Sequence, residues 1–373
     1  MGAECDKTQI LFPITNQGEK MSLTTLSIHH FRGLQSFESN CFSRITLLGG
    51  KNNCGKSSVL EAAFYLSGMS NPKIPVLLND IRAMGMHHIS SLYPLFYAND
   101  ISNSITIQGT FSDKVQRLLT VDTYVPEKMY VSNDALPVSS KGETRWLRQT
   151  FKRLALGHPA EERTSSEEGT SLIEEDKSGD MIVRAPKSYR EQWNAVFDSS
   201  RKAQNTARWL ERLAKLGKMD QVLTWLKSLE PRVTDIRHLE GGEVLVQFDG
   251  IERPLPIQVM GDGMIKSLTI AAESFFVGDK GLVCIDEIEN GLHYSTIERV
   301  WSFIVERAKE GTQFMITTHN KEVMKRLAAT QDLGEDGLFS YLNLYREKGD
   351  IVRAYPYSWL QFVTSLDEGM EIR

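Results

Sequence analysis

Apolar and polar residues alternate over residues 25–30, and a short apolar run at 45–48 ends in Gly49-Gly50. Alternation sends successive side chains to opposite faces, so both stretches read as strands. Residues 57–66 place Val59, Leu60, Ala63 and Leu66 at helical spacing. A strand, a glycine-rich loop and a helix therefore follow in order. Alternation over 105–111 and 118–125 predicts an antiparallel pair. From 206 to 229 the helical period returns, with Trp209, Leu210, Leu213 and Leu216, then Val222, Leu223, Trp225, Leu226 and Leu229. Gly217 divides this stretch into two amphipathic helices whose apolar faces pack inward. After Pro231 come a strand at 244–248 with a turn at Gly250, and a charge-poor helix start at 267–272. Two wholly apolar strands, 282–285 and 314–317, flank a helix at 295–308. Strands alternating with helices predict an α/β fold built on a parallel sheet.

The middle of the chain differs. Residues 141–153 hold five basic residues and one acid, and residues 161–180 hold eight acids and two bases among Ser, Thr and Gly. The second block has little to bury, so it is expected to be a mobile loop. The chain then divides into a flexible tail (1–21) and the N-terminal part of the core (22–134). An inserted helical and charged lobe (135–230) and the C-terminal part of the core (231–373) complete it.

Composition narrows the class. The 373 residues are 41% hydrophobic and 24% charged, which suits a globular chain large enough to need no stapling. No run of 18 apolar residues exists, and no secretory leader pattern opens the sequence. Met1-Gly2 is followed by Asp6 where a myristoylation signal wants Ser or Thr. The 43 Lys and Arg against 48 Asp and Glu give a net charge of −5, unlike a protein that coats nucleic acid. Cys5, Cys41, Cys54 and Cys284 form no CxxC pair and read as reduced thiols of a cytoplasmic protein.

The chemistry concentrates in four motifs. Gly50-Lys51-Asn52-Asn53-Cys54-Gly55-Lys56-Ser57 fits G-x-x-x-x-G-K-[ST], between a strand and a helix as that motif requires. Its glycines let backbone N–H groups close on phosphate oxygens, and the helix N-terminus adds partial positive charge. Gly50, Asn52, Asn53, Gly55, Lys56, Ser57 and Ser58 are the candidate nucleotide-binding residues. Lys56 would reach the β- and γ-phosphates, and Ser57 would ligate Mg²⁺. The apolar strand 282–285 ends in Asp286-Glu287. Asp286 would complete the Mg²⁺ shell, and Glu287 would orient and deprotonate water, a role worth about 10²–10⁴-fold in rate. The strand 314–317 leads to His319, placed to donate to the γ-phosphate. Gly261-Asp262-Gly263, about 25 residues before the acidic pair, opens a second helix and a second anion-binding nest. One triphosphate needs one nest, so a head-to-tail pair of chains with ATP between them would use both. Cys54, near a helix N-terminus, is expected to have a lowered pKa and to block ATP binding when alkylated.

Taken together, these motifs resemble the ABC-type ATPase head of SMC, RecF and Rad-type repair ATPases, with a helical insertion lobe. The order Phe31-Arg32-Gly33, G-K-N-N-x-G-K-S, M-G-D-G, I-D-E-I-E-N-G-L-H and T-T-H resembles the OLD-like branch of AAA ATPases more closely. The ending Asp367-Glu368-Gly369-Met370-Glu371-Ile372-Arg373 is similar to single-domain members of that branch. The likeness covers roughly 22–134 and 230–373. It implies nucleotide and Mg²⁺ binding at Lys56 and Ser57, and hydrolysis at Asp286 and Glu287. His319 is implied as the switch histidine, and Gly261–Gly263 as a signature that contacts the partner's ATP. Two departures stand out. The signature is not L-S-G-G-Q, which disfavours a transporter subunit, and Gln108 is a weak candidate for the Mg²⁺-contacting glutamine.

A C-terminal TOPRIM nuclease is not expected, because about 50 residues follow His319. The resemblance thus implies an ATPase switch that controls a separate effector, a nuclease or toxin, in anti-phage defence. The alternative is a repair ATPase acting on DNA, motivated by the 141–153 run and by Arg201, Lys202, Arg208 and Arg212. A scaffold with a degenerate nucleotide site is the third reading, and the complete motif set speaks against it.

Overall fold

The computed structural model describes residues 21–85, 88–125, 146–155, 166–175, 180–186, 191, 193–199, 206–239, 243–330, 333–335 and 337–368. Within them a hairpin of β1 (Leu23–Phe31) and β2 (Leu34–Ser39) comes first, and β3 (Ile45–Gly50) then runs into helix α1 (Lys56–Ser67). Helix α2 (Ile74–Ile81) precedes a meander of β4 (Ile105–Phe111), β5 (Val115–Tyr124), β6 (Trp146–Ala155), β7 (Ser166–Glu175) and β8 (Met181–Arg184). Next come β9 (Ala195–Asp198), helices α3 (Thr206–Lys215) and α4 (Met219–Leu229), and a small sheet of β10 (Val233–His238), β11 (Val244–Phe248) and β12 (Leu255–Pro256). The chain then alternates α5 (Asp262–Val277), β13 (Leu282–Ile285), α6 (Tyr294–Glu310), β14 (Gln313–Thr317) and α7 (Lys321–Thr330). The hairpin β15 (Phe339–Arg346) and β16 (Ile351–Tyr357) and helix α8 (Trp359–Asp367) complete it.

The large sheet has the order β8-β7-β6-β5-β4-β1-β2-β16-β15-β3-β14-β13-β9. Strands β9, β13, β14, β3 and β15 are parallel neighbours, the α/β core expected from the alternation. Both faces of β3, β13 and β14 are buried, which is why β13 reads as an unbroken apolar run and β3 and β14 hold apolar runs at 45–48 and 314–316. Leu282 and Cys284 face the cluster that holds Val59, Leu60 and Ala63 of α1. Val283 and Ile285 face the cluster that holds Ile297, Val300, Trp301 and Ile304 of α6. The far half of the sheet, from β2 through β1 and β4 to β8, is antiparallel.

Two expectations for the middle of the chain are corrected. First, the described residues between 146 and 184 are not a helical lobe, because β6, β7 and β8 extend the main sheet and β9 lies at its opposite edge beside β13. Among the described residues of 135–230, the helical part is α3 and α4. Second, Ser166–Glu175 is a strand where a mobile loop was expected; 161–165 and 176–179 lie outside the described residues. The reason is cross-strand pairing. Glu168 sits opposite Lys152 and Glu167 opposite Arg153, so the acids that argued against a strand face bases on β6. The inward positions are Gly169, Ser171 and Ile173, so small and polar residues hide the alternation. A Cβ at Gly169 would lie 2.6 Å from the Phe151 ring, so glycine is what admits that ring. The flexible tail at 1–20 lies outside the described residues.

The paired helices after residue 205 form as expected. Gly217 has φ 67° and separates α3 from α4. Leu210, Leu213, Val222 and Leu226 pack with Val244 and Val246 of the small sheet and with Leu268, Ala271 and Phe275 of α5. Helix α5 begins at Asp262, earlier than its apolar stretch suggests, because Asp262, Gly263, Lys266 and Ser267 interrupt the apolar pattern of its first two turns.

The β6–β7 pairing makes a stability prediction. Ile173→Ala removes a fully buried side chain and should cost about 2–4 kcal/mol in urea unfolding. Glu168→Gln, on the exposed face, should change stability by less than ~0.5 kcal/mol. Equal effects from the two would show that burial does not order this strand.

Candidate functional site

The phosphate loop leaves β3 at Gly50, whose φ of 123° only glycine adopts freely. A Cβ there would stand 2.2 Å from the Leu344 carbonyl, so the loop can follow β15 closely only with glycine. Gly55 (φ 98°) precedes α1, and no side chain caps that helix. Its first N–H groups therefore face the loop with their partial charge. The Lys56 ammonium folds back onto the loop, donating to the carbonyls of Gly50 (2.9 Å) and Lys51 (3.0 Å). Asn52 is exposed, and Asn53 is left-handed at φ 62°. The Ser58 side chain is buried, and its hydroxyl lies 3.4 Å from Arg82 Nη2.

Parallel pairing of β3, β14 and β13 brings three strand ends to this loop. The Asp286 carboxylate is their meeting point. Its Oδ1 accepts hydrogen bonds from Ser57 Oγ (2.9 Å) and Thr317 Oγ1 (2.7 Å). Thr317 Oγ1 in turn accepts from the Glu287 N–H at 2.7 Å. Glu287 has φ 54°, an uncommon conformation for a residue with a side chain. Its Oε2 accepts from Asn290 Nδ2 at 2.7 Å. His319 lies on Glu289, with Nδ1 3.1 Å and its N–H 3.0 Å from Glu289 Oε1. Ser57 and Asp286 supply two hard oxygens. That set fits Mg²⁺, which takes few protein ligands and keeps waters and phosphate oxygens. No group of three acidic, His or Cys ligands that would suit a protein-only metal cage occurs among the described residues.

Gly261 and Asp262 are exposed and Gly263 is half-buried. They open α5, and a Cβ on Gly263 would lie 3.1 Å from the Gly291 carbonyl. No hydrogen bond joins them to the phosphate loop among the described residues. Sequence reasoning missed what lies behind them. Lys266 of α5 is buried with its Nζ 2.5 Å from Asp198 Oδ2. The Asp198 carbonyl accepts the Asp286 N–H at 2.9 Å. Burial pushes the carboxyls of Asp198 and Glu273 up, Glu273 well above its ordinary range, and Lys266 opposes both shifts. A Lys at i+4 from Asp262 carries no signal by itself, so this link needed the fold. Thr317 was legible only as part of the T-T-H string.

A family described as "AAA domain, putative AbiEii toxin, Type IV TA system" matches residues 45–325, more than half of the chain. The chain belongs to this AAA family. The match includes the phosphate loop, the acidic pair and His319. A relative from Helicobacter pylori named "ATP/GTP phosphatase" is 23% identical over 328 residues, covering 82% of this chain and 87% of that protein. An uncharacterized Methanocaldococcus jannaschii protein is 32% identical over 89 residues, 23% of this chain and 41% of its own length. Among solved structures, an SMC head bound to the C-terminal winged-helix domain of ScpA is similar at TM-score 0.46 and 14% identity. It covers 90% of this chain and 97% of that one. The SMC head domain from Thermotoga maritima is similar at TM-score 0.43 and 14% identity, covering 90% and 99%.

Three further expectations meet the geometry of this AAA chain. Gln108 lies on β4 beside Gly109; that glycine faces Leu66 of α1, so Gln108 points away from the helix. It lines a shallow polar cleft with Ser27, Glu38 and Arg353 instead of the loop. The basic run is paired where it is described: Arg148 with Asp122, Lys152 with Glu168 and Arg153 with Glu167. Arg212 stacks on the Trp209 ring at 4.9 Å, while Lys141, Arg145, Arg201 and Lys202 lie outside the described residues. The activated thiol is overturned. Cys54 is buried, and burial pushes its pKa up although the Lys56 charge pulls it down. In the folded chain Cys54 should therefore react with a maleimide far more slowly than in urea. Its rate should keep rising with pH beyond the ordinary thiol range near ~8.5, because a raised pKa leaves less thiolate at any given pH. Peptide mass spectrometry reads both, and equal folded and unfolded rates would contradict the burial account.

Proposed function

We propose that this AAA-family chain binds and hydrolyses ATP with Mg²⁺ as a slow switch, assembling head to tail to control a separate effector. The observation that carries the hydrolytic part is the carboxylate of Asp286, joined to Ser57 of the phosphate loop and to Thr317. Thr317 also fixes the backbone of Glu287. Lys56 and the N–H groups of α1 hold the phosphates. Ser57 and Asp286 would hold Mg²⁺, which would supply positive charge to offset that of the phosphates. Glu287, steadied by Asn290, accepts the proton of a water as its oxygen bonds the γ-phosphorus. The bond to the bridging oxygen breaks, and ADP and phosphate leave. His319, resting on Glu289, would donate to the γ-phosphate. The phosphatase name of the Helicobacter relative supports the same reaction class.

Head-to-tail assembly is supported by the exposure of Gly261 and Asp262, which make no hydrogen bond to the phosphate loop among the described residues. The exposed start of α5 then serves the nucleotide of a partner chain. An effector encoded nearby, the OLD-like branch and a role in anti-phage defence rest on motif order. No helix among the described residues is long and apolar enough to cross a membrane, and cytoplasmic placement rests on the reduced thiols. Direct action on DNA draws less support, because the described bases of the 141–153 run face acids.

Glu287→Gln should lower ATP turnover about 10²–10⁴-fold while retaining ATP binding. Turnover equal to wild type would remove Glu287 as the base. Its mass with ATP and Mg²⁺, after co-expression with its genomic neighbour, should rise to an assembly containing that neighbour. Assembly without it would remove the effector reading. A mixture of Lys56→Ala chains and Asp262→Lys chains builds one intact composite site per pair. The mixture should hydrolyse ATP faster than the sum of its parts, and strict additivity would count against sharing of the site.

A further inference from the structure

The turn between β15 and β16 reaches the phosphate loop. β15 runs parallel to β3, with Leu344 paired to Gly50. Arg346, two residues on, is therefore level with the loop residues that follow β3. Its Nη2 donates to the Asn53 carbonyl at 3.0 Å, and its Nη1 to Asp350 Oδ1 at 2.6 Å. The Tyr97 hydroxyl donates to the other Asp350 oxygen at 2.7 Å. Together, Tyr97 and Arg346 hold the Asp350 carboxyl below its ordinary range. Tyr97 follows Phe96, which bridges to Phe31 at the end of β1. The line Tyr97–Asp350–Arg346–Asn53 is thus anchored on the sheet at one end and on the phosphate loop at the other.

The geometry at Asn53 gives this line a task. Asn53 is left-handed, a conformation asparagine tolerates better than most residues. In a trans peptide the C=O and the following N–H point opposite ways. With the Asn53 carbonyl held on Arg346, the Cys54 N–H turns into the loop, where it meets the Lys51 carbonyl at a long 3.4 Å. A phosphate oxygen is a stronger acceptor than that carbonyl. An anion nest works by presenting N–H groups inward, and a carbonyl flipped inward would repel the phosphate.

We propose that Arg346 is a positioning residue for nucleotide binding. Its guanidinium, aimed by Asp350 and Tyr97, keeps the Asn53 carbonyl out of the phosphate cradle so that the Cys54 N–H faces the triphosphate. This rests on ATP binding at the loop as proposed above. Lysine cannot serve Asn53 and Asp350 together in the same fork, so it replaces the arginine only in part.

The test uses the full chain in four forms: wild type, Arg346→Met, Arg346→Lys and Asp350→Asn, with Lys56→Ala as control. Equilibrium binding of a fluorescent ATP analogue, melting temperature and steady-state kinetics are read for each. Arg346→Met should bind ATP about tenfold more weakly and raise KM alike, the loss of one charge-assisted hydrogen bond, while kcat stays within about twofold. Arg346→Lys and Asp350→Asn should fall between it and wild type. A lowered melting temperature with wild-type affinity would mean that the arginine only pins the hairpin, and the proposal is overturned. Should Arg346→Met not fold, unchanged affinity in both other variants overturns it equally. Wild type failing to bind ATP, or Lys56→Ala binding as well as wild type, would instead remove the nucleotide reading itself.

Discussion

The carboxylate of Asp286 is the constraint on which the site depends. It takes hydrogen bonds from the hydroxyls of Ser57, in the first turn of α1, and Thr317, the last residue of β14. Its own strand, β13, lies beside β14, and β14 beside β3. Three consecutive parallel strands end at one edge, so residues roughly 230 and 30 positions apart in the chain arrive within a hydrogen bond of each other. Parallel sheets of this kind place ligand sites beyond the carboxyl ends of their strands. Asp286 is nearly buried and needs its partners, since an unpaired buried carboxylate is costly. The same bonds hold the Glu287 backbone in its left-handed conformation through Thr317.

Behind this edge sits a buried charge cluster. Lys266, Asp198 and Glu273 are all nearly inaccessible to water. A buried ion pair contributes little net stability, because desolvation offsets the attraction. Its clear consequence is geometric. Lys266 lies one helical turn from Asp262, and Asp198 holds the Asp286 N–H through its carbonyl. The start of α5 and the acidic strand end are thereby held in one register, while the apolar faces of α3 and α4 pack against α5. On the far side, Arg32 and Arg82 share Glu61 of α1, which fixes the helix that presents the phosphate loop.

The amino-acid sequence by itself determined the local chemistry. The phosphate loop, the acidic pair after β13 and the two helices divided at Gly217 were all legible, because spacing and periodicity encode them within a few residues. The parallel core was legible from apolar strands alternating with helices. Tertiary structure alone decided whatever depends on a distant partner. The strand Ser166–Glu175 hid behind its acids until β6 supplied bases opposite them. Thr317, Asp198 and Lys266 joined the site only through strand order and helix packing, and Arg346 through the register of β15 against β3. Cys54 was misread for the same reason: a helix N-terminus beside a thiol is visible in sequence, but the packing that buries it and reverses the shift is not. Short-range patterns fix backbone conformation and residue type, whereas burial and long-range pairing set the energy of each charge, and only the folded chain brings those partners together.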